Sequence, residues 1–168
     1  MQDKITNQAD LLAARAGEEW AERLYSLVPE VRSGDPTNRE GAAARLYFQA
    51  LFGRGFSRDE DTPLNAALNY GYSILLSSVN REIVARGYLT QIGICHRNEY
   101  NLYNLSCDLM EPFRPLVDRL VFDNVDDDFS KETKRLLVDQ LNLVIPYRGG
   151  SYRVSSVISL YVQDSVSY

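Results

Sequence analysis

The longest uninterrupted apolar periodicity, over residues 64–86, constrains the fold more than any other feature of the sequence. Small or apolar residues recur there every three or four positions: Leu64, Ala67, Leu68, Gly71, Ile74, Leu75, Ser78, Val79 and Ile83. Such a stripe buries one side of an α-helix. Gly87 follows directly and favours termination of the helix. The chain is therefore expected to be built around one long helix.

Segments with similar spacing surround this helix. They cover residues 4–30 (one or two helices), 38–53, about 100–122, 130–143 and about 155–167. Pro112 and Pro115 are expected to kink the third of these. Two short β-prone runs flank Gly149-Gly150, which predicts a hairpin. The predicted fold is mainly α, a multi-helix domain with a short β-hairpin near the C-terminus, and residues 1–168 form a single domain.

Composition is typical of a globular protein. The chain has 168 residues, of which 45% are hydrophobic and 24% charged, a balance that suits one domain with its own core. No apolar run approaches the ~20 residues that cross a bilayer, and no secretory signal precedes the first helix. We therefore expect a soluble, cytoplasmic protein without a membrane partner. The net charge of −5 argues against bulk electrostatic coating of DNA but leaves DNA binding open.

Glu40 begins a predicted helix and allows two interpretations. Thr37-x-x-Glu40 matches a capping box, in which the glutamate side chain accepts a hydrogen bond at the helix start. The small residues at 41–44 also leave space beside the carboxylate, where a metal ion or DNA could approach. Spacing alone favours the cap.

His96, the only histidine, lies in an irregular segment between two predicted helices. A lone histidine is more often structural than a ligand. Its neighbours Arg97 and Asn98 add hydrogen-bond donors, and loops on rigid scaffolds often carry functional residues. Both interpretations stay open.

Asp108 and Glu111 are three residues apart on a predicted helix and project from one face with Asn104. A solvated helix face is the commoner explanation of such a pair. The alternative is a pair of oxygen ligands for a metal ion. One histidine with several carboxylates favours a hard ion such as Mg²⁺ or Mn²⁺ over zinc.

Asn65 and Asn69 stand near the start of the long helix, although asparagine is a poor helix former. Asn65 either caps the helix, or both amides line a polar cleft. The residues alone do not decide between these possibilities.

Four segments, taken in order, resemble the CRISPR-associated integrase family, and most of all the branch that accompanies type II systems. They are EGAAARLYF (40–48), NAALNYGY (65–72), GICHRN (93–98) and DLMEPFRP (108–115). The resemblance covers almost the whole chain. The C-terminal hairpin and helix are similar to that family as well.

The resemblance implies a catalytic site that binds one divalent ion, Mg²⁺ or Mn²⁺. The implied metal ligands are Glu40, His96 and Glu111. Asp108 is implied to assist catalysis as a second acid, and Arg114 to support the acids or to meet phosphate. The candidate DNA contacts are Asn65, Asn69, Arg97 and Arg114.

The implied reaction inserts spacer DNA into a CRISPR array, through attack of a 3′-hydroxyl group on a phosphodiester of the repeat. Two alternatives stay open: a structure-selective metal-dependent nuclease with water as the nucleophile, and a non-catalytic module that docks DNA or a partner. The implied partners are double-stranded DNA (spacer precursor and CRISPR repeat) and the small CRISPR-associated subunit of the adaptation complex. Family members begin with a β-rich domain that builds the homodimer. We expect this chain to be the C-terminal part of such a protein, and its own oligomeric state, including a monomer, stays open.

Overall fold

The computed structural model describes residues 2–30, 39–95, 98–125 and 128–167, which form helices and one hairpin. The elements are α1 (Gln2–Arg15), α2 (Glu18–Tyr25), α3 (Arg39–Phe52), α4 (Pro63–Ala85), α5 (Asn104–Met110), α6 (Arg114–Asn124), α7 (Lys131–Asp139), β1 (Val144–Tyr147), β2 (Gly150–Arg153) and α8 (Val154–Val166). Short 3₁₀ turns occur at Val28–Glu30, Glu111–Phe113 and Gln140–Asn142. The prediction of a mainly α fold with a short hairpin near the C-terminus is confirmed. In the described part of the chain, no helix combines the length and the hydrophobicity that a membrane span requires.

The long helix α4 is the centre of the fold, as its apolar stripe predicts. Its N-terminus is capped by the Thr62 hydroxyl, which accepts a hydrogen bond from the backbone N–H of Asn65 at 3.2 Å. Pro63 takes the first helical position, where its missing N–H costs nothing. The helix ends before Gly87, whose φ of 82° suits glycine. Helices α5, α6, α7 and α8 all pack against α4.

The apolar core consists of two clusters. One surrounds α4 and includes residues of α5 to α8. The other joins α1, α2 and α3 through residues such as Ile5, Leu12, Leu24 and Tyr47. Phe48 of α3 packs against both clusters, and α1 also contacts α6 and the turn at Glu111–Phe113. Side chains from distant parts of the sequence therefore meet where the clusters adjoin.

The segment predicted as one kinked helix over about 100–122 is three separate elements, so that prediction was wrong in detail. Helix α5 begins only at Asn104, the turn Glu111–Phe113 is 3₁₀, and α6 begins at Arg114. Pro112 lacks an N–H, and its ring obstructs the carbonyl four residues earlier in a continuous α-helix. The 3₁₀ turn therefore separates α5 from α6 and contains Glu111.

The hairpin turn lies one residue earlier than predicted. Arg148 and Gly149 form it, with φ values of 50° and 78°, while Gly150 is already paired with Tyr147 across the strands. Two successive positive φ values are typical of the two-residue turns that match the twist of antiparallel strands.

Gly71, in the middle of α4, permits a close helix contact that a side chain would prevent. A Cβ atom there would lie 2.4 Å from a methyl carbon of Val117 and 3.2 Å from one of Leu137. We expect Gly71→Ala to lower the free energy of unfolding by about 2–3 kcal/mol, because α6 and α7 would have to move outward. Urea denaturation measures this change.

Gly55→Ala is the matched control. A Cβ atom at Gly55 meets nothing within 4 Å, and its φ is not positive. We expect the control to change the free energy of unfolding by less than about 1 kcal/mol. Equal destabilisation by both variants would contradict the packing argument.

Candidate active site

Two glutamates from distant segments meet at one lysine. Lys4 of α1 places its Nζ 2.8 Å from Oε1 of Glu40, in the first turn of α3, and 2.7 Å from Oε2 of Glu111. The side chains of Lys4 and Glu111 are 11% and 15% exposed, and that of Glu40 is 33% exposed. The three residues thus form a half-buried cluster that is open on the side of Glu40.

Helix α1 holds this cluster in place. Asn7 lies three residues after Lys4, on the same face of the helix. Its Nδ2 donates a hydrogen bond to the carbonyl of Pro112 at 3.0 Å. Because Pro112 follows Glu111 directly, this bond fixes the 3₁₀ turn against α1 and brings the Glu111 carboxylate to Lys4.

Arg114 binds the other oxygen of Glu111. Its Nη1 donates to Oε1 of Glu111 at 2.8 Å, and its guanidinium carbon lies 4.2 Å from the centre of the Tyr72 ring. Burial alone would raise the pKa of Glu111, but Arg114 and Lys4 outweigh it and lower this pKa. Burial alone would likewise lower the pKa of Lys4, and the two glutamates raise it instead. Glu111 and Lys4 are therefore both charged at neutral pH.

A buried aspartate, Asp118, supports this arrangement through hydrogen bonds to two tyrosines. Asp118 of α6 is 0% exposed and accepts hydrogen bonds from the hydroxyl groups of Tyr47, at 2.7 Å, and Tyr72. The three residues belong to α6, α3 and α4, so the aspartate joins both core clusters. It also fixes the Tyr72 ring on which Arg114 stacks, and thereby the orientation of Arg114 toward Glu111.

Asp118 should make stability depend on pH. Burial raises the pKa of Asp118 to about 6 from 3.8, although the tyrosine hydroxyls and the nearby arginines oppose the shift. The folded state therefore binds a proton that the unfolded state releases, so this contribution to stability grows as pH falls through the folded pKa. We expect the free energy of unfolding to rise by about 1–2 kcal/mol from about pH 7 to about pH 5.

Asp118→Asn should remove that rise, because the amide does not titrate. The variant is compared with the natural chain by urea denaturation across this pH range. Other titrating groups are common to both proteins, so the difference between the two slopes isolates Asp118. Identical slopes would contradict the assignment. The pKa values of Glu82 and Glu111 are lowered in the folded state. Below about pH 4.5, both proteins are therefore expected to become less stable as these two carboxylates are protonated.

Asp108 does not join the glutamates at Lys4. Its Oδ2 accepts hydrogen bonds from the backbone N–H groups of Ile94, at 2.6 Å, and Cys95, at 2.9 Å. The aspartate therefore anchors the segment that leads into His96. Asn104, predicted on the same polar face, is 4% exposed, and its Nδ2 donates to the carbonyls of Gln91 and Asn98. Both residues brace the connection between α4 and α5.

Asn65 and Asn69 both bind Arg58. Asn65 is 3% exposed. Its Oδ1 accepts from Arg58, and its Nδ2 donates to the carbonyls of Ser57 and Glu60 at 2.8 Å. Oδ1 of Asn69 accepts from Arg58 at 2.6 Å. Asn65 thus braces the loop before α4, and Thr62 rather than Asn65 caps the helix. Their contact with DNA stays a prediction.

Three residues singled out from the sequence, Thr37, His96 and Arg97, lie outside the described residues. The capping box and the third metal ligand are therefore untested. Among the described residues, no group of three or more histidine, cysteine, aspartate or glutamate side chains could hold a metal ion. Glu40 and Glu111 nevertheless fit a cation, since the Lys4 ammonium already lies between their carboxylate oxygens. Sequence reasoning missed Lys4 as well as Asp118.

Comparison with known proteins identifies the class to which the chain belongs, the CRISPR-associated proteins of the Cas1 type. Residues 2–140 match the family described as "CRISPR associated protein Cas1". The chain therefore belongs to the Cas1 family, which confirms the resemblance found in its sequence motifs.

Relatives with known names or structures agree with this membership. The "CRISPR-associated endonuclease Cas1" of Neisseria meningitidis serogroup C is 47% identical over 121 residues, which cover 72% of this chain and 40% of the relative. The structure of a Cas1 protein from Thermotoga maritima has a TM-score of 0.77 at 18% identity, over 97% of this chain and 61% of that one. A casposase bound to its integration product has a TM-score of 0.74 at 22% identity, over 98% and 60%. These two structural likenesses establish the fold.

The chain spans only part of its named relatives. The matches cover 40%, 45% and 62% of the lengths of three of them. The activity, substrates and partners of a complete family member are therefore matters of proposal for this chain.

Proposed function

We propose that this chain is a metal-dependent DNA integrase and endonuclease domain that inserts spacer DNA into a CRISPR array. The observation that carries the proposal is the convergence of Glu40 and Glu111 on one cation. A module that only docks DNA has no need of two acids from distant segments held together at one cation. The names of similar proteins, a Cas1 endonuclease and a casposase bound to its integration product, support the same class of reaction.

Glu40 and Glu111, completed by His96, would hold Mg²⁺ or Mn²⁺. When bound, the ion supplies electrostatic stabilisation of the charge that builds on the phosphoryl group. Arg114 keeps the Glu111 carboxylate ionised and correctly oriented. Asp118 and Tyr72 hold Arg114 in turn. Asp108 holds the backbone of Ile94 and Cys95, which precede His96 in the chain.

The nucleophile in this proposal is the 3′-hydroxyl group of the spacer DNA. Its oxygen forms a bond to a phosphorus atom of the repeat, the bond from that phosphorus to the neighbouring nucleotide's 3′ oxygen breaks, and a new 3′-hydroxyl group leaves with the proton. The substrates are double-stranded spacer precursor and repeat. The proposed partners are the small subunit of the adaptation complex and, in a complete family member, a second copy of the protein.

A strand-transfer assay tests the proposal. The substrate is a branched DNA that mimics a half-integrated spacer, incubated with the chain in Mn²⁺ and, as a control, in EDTA. We expect rejoined strands in Mn²⁺ only. Shortened strands without rejoining would indicate water as the nucleophile and thus a nuclease. Intact substrate in both conditions would contradict catalysis by this chain.

A further inference from the structure

The Lys4 ammonium lies between two carboxylates without fully satisfying both of them. Its Nζ donates a hydrogen bond to Oε1 of Glu40 at 2.8 Å. It also lies 2.7 Å from Oε2 of Glu111, but this oxygen is buried and accepts no hydrogen bond from any described residue. The contact with Glu111 is therefore an electrostatic one that lacks the direction of a hydrogen bond, and Glu111 keeps an oxygen that can bind another cation.

A divalent ion and the Lys4 ammonium exclude each other between the two acids. The formal charges of Lys4 and Arg114 already balance those of Glu40 and Glu111. Like charges a few ångströms apart in a half-buried site repel strongly, because the surroundings screen them less than water does. The ammonium that lies between the acids therefore has to leave them when a metal ion binds there.

Of the two cations at this site, Lys4 is the one that can move. The Arg114 guanidinium carbon lies 4.2 Å from the centre of the buried Tyr72 ring, which holds the arginine in place. Lysine instead has a flexible four-carbon stem and an ammonium group whose donors rotate freely. The backbone of α1 stays where it is, through the bond from Asn7 to the carbonyl of Pro112 at 3.0 Å. Displacement is therefore a rotation of the Lys4 side chain alone.

An acceptor without a donor lies one helical turn from Lys4. Gln8 is 3% exposed and alternates along α1 with the buried apolar residues Ile5, Ala9 and Leu12. Its Oε1 is buried, and none of the described residues donates a hydrogen bond to it. A buried amide oxygen without a donor costs free energy, so its presence in a folded protein calls for an explanation.

The spacing along α1 makes Lys4 a suitable donor for Gln8. Residues four apart lie on the same face of a helix, with Cβ atoms about 5–6 Å apart. Helical side chains lean toward the N-terminus of the helix, which directs the Gln8 amide over the turn that carries Lys4. Long polar side chains meet readily across one turn in this way.

We propose that Lys4 is a positioning residue with two resting places. Without metal, its ammonium keeps Glu40 and Glu111 together. With metal bound to the two acids, the ammonium donates a hydrogen bond to Oε1 of Gln8 instead. The affinity for the metal therefore depends on Gln8, although Gln8 is not a ligand. The inference rests on the proposed function, because the displacing ion is the divalent metal of that proposal.

A double-mutant cycle on Mn²⁺ binding tests this inference without DNA and without activity. Electron paramagnetic resonance measures free Mn²⁺ while the ion is titrated into the chain. We expect Gln8→Leu to weaken Mn²⁺ binding about tenfold, because the displaced ammonium then lacks the hydrogen bond that a charged donor would make. In the Lys4→Met background, the same substitution should change the Kd for Mn²⁺ by less than about twofold, since no ammonium is displaced.

Gln140→Leu is the matched control. Gln140 is also a buried glutamine, 0% exposed, and its Oε1 has no donor among the described residues. It lies in the turn Gln140–Asn142, and its Nε2 donates to the carbonyl of Gly71 at 3.2 Å. The substitution should lower stability but leave the Kd for Mn²⁺ unchanged. Circular dichroism confirms that the variants are folded.

Three outcomes would overturn the inference. Equal weakening by Gln8→Leu in both backgrounds would assign its effect to packing, independent of Lys4. Unchanged Mn²⁺ binding by Gln8→Leu in the natural background would show that the ammonium does not move to Gln8. Absence of Mn²⁺ binding in every variant, Lys4→Met included, would show that no metal competes with Lys4.

The strand-transfer assay separates this inference from the proposed function. Strand transfer in Mn²⁺ by a chain whose Mn²⁺ affinity does not depend on Gln8 would reject the displacement of Lys4 alone. The expected double-mutant cycle without strand transfer would reject the integrase assignment alone.

Discussion

Glu111→Gln is expected to reduce the rate of strand transfer by at least about 10²–10³, since a neutral amide supplies neither a metal ligand of full charge nor an ion-pair partner. The substitution keeps the size of the side chain. It removes the charge that faces Lys4 at 2.7 Å and Arg114 at 2.8 Å, so both cations stay behind in a half-buried site. The rate is measured on the branched DNA in Mn²⁺.

Glu82→Gln provides a close control for this variant. The Glu82 side chain is 17% exposed, against 15% for Glu111, and it pairs with Arg86 at 2.8 Å. The exposed fractions of the two side chains and their pairing with an arginine are therefore similar, but Glu82 lies on α4 away from the cluster. We expect Glu82→Gln to keep strand transfer while it loses some stability. An equal loss of strand transfer in both variants would assign the effect of Glu111→Gln to folding and would contradict its catalytic role.

Lys4→Met is expected to lower the free energy of unfolding by about 2 kcal/mol. Methionine replaces the volume of the side chain but leaves Glu40 and Glu111 facing each other without the intervening cation. Breaking a fully buried ion pair costs about 3–5 kcal/mol, and the partial exposure of Glu40 reduces that figure. Thermal denaturation should show a decrease in Tm of about 4–8 °C.

The same variant should respond to metal more strongly than the natural chain. Without Lys4, Mn²⁺ meets no competing ammonium between the two carboxylates. We expect Mn²⁺ to raise the Tm of Lys4→Met by more than it raises that of the natural chain, because a ligand that binds only the folded state stabilises it. Equal responses would contradict a metal position between Glu40 and Glu111.

Arg15→Met is the control for the loss of a cation from α1. Arg15 also links α1 to another element, through Asp123 at 2.9 Å, but this pair is on the surface, where ion pairs contribute little. We expect a much smaller change in Tm than for Lys4→Met. If Arg15→Met were as destabilising as Lys4→Met, the burial of the Lys4 side chain would not explain the effect of Lys4→Met.

The sequence predicts the helices well because their signals are local. The stripe at 64–86 defines α4 to within one residue at each end, and Gly87 marks its end. The sequence identifies Pro112 as an interruption of the helix. The missing N–H of proline is compatible with either a kink or a 3₁₀ turn, so this local rule does not decide between them. Only the contact between Asn7 and the Pro112 carbonyl, 105 residues apart, shows how the chain uses that turn.

The candidate site was harder to predict because its members are polar residues with ordinary local explanations. The spacing around Glu40 favours a helix cap over a metal ligand, and the pairing of Glu40 with Lys4 across 36 residues leaves no local signal. Asp118 did carry a signal that sequence reasoning overlooked. It lies three residues after Pro115 and three before Val121, both buried, so a charged residue occupies an apolar stripe. Such a residue is expected to have a buried partner.

The division of the core into two clusters has a consequence for how ligand binding and folding are connected. Glu40 belongs to the layer of α1, α2 and α3, whereas Glu111 belongs to the layer around α4, and the Lys4 cluster lies on the seam between them. Any cation that binds both acids must also stabilise the packing of the two layers against each other. By reciprocity, tighter packing of the layers must increase the affinity for the cation by the same free energy. Substitutions along the seam, far from any reacting atom, are thus expected to change the affinity for the proposed metal ion without altering a single ligand.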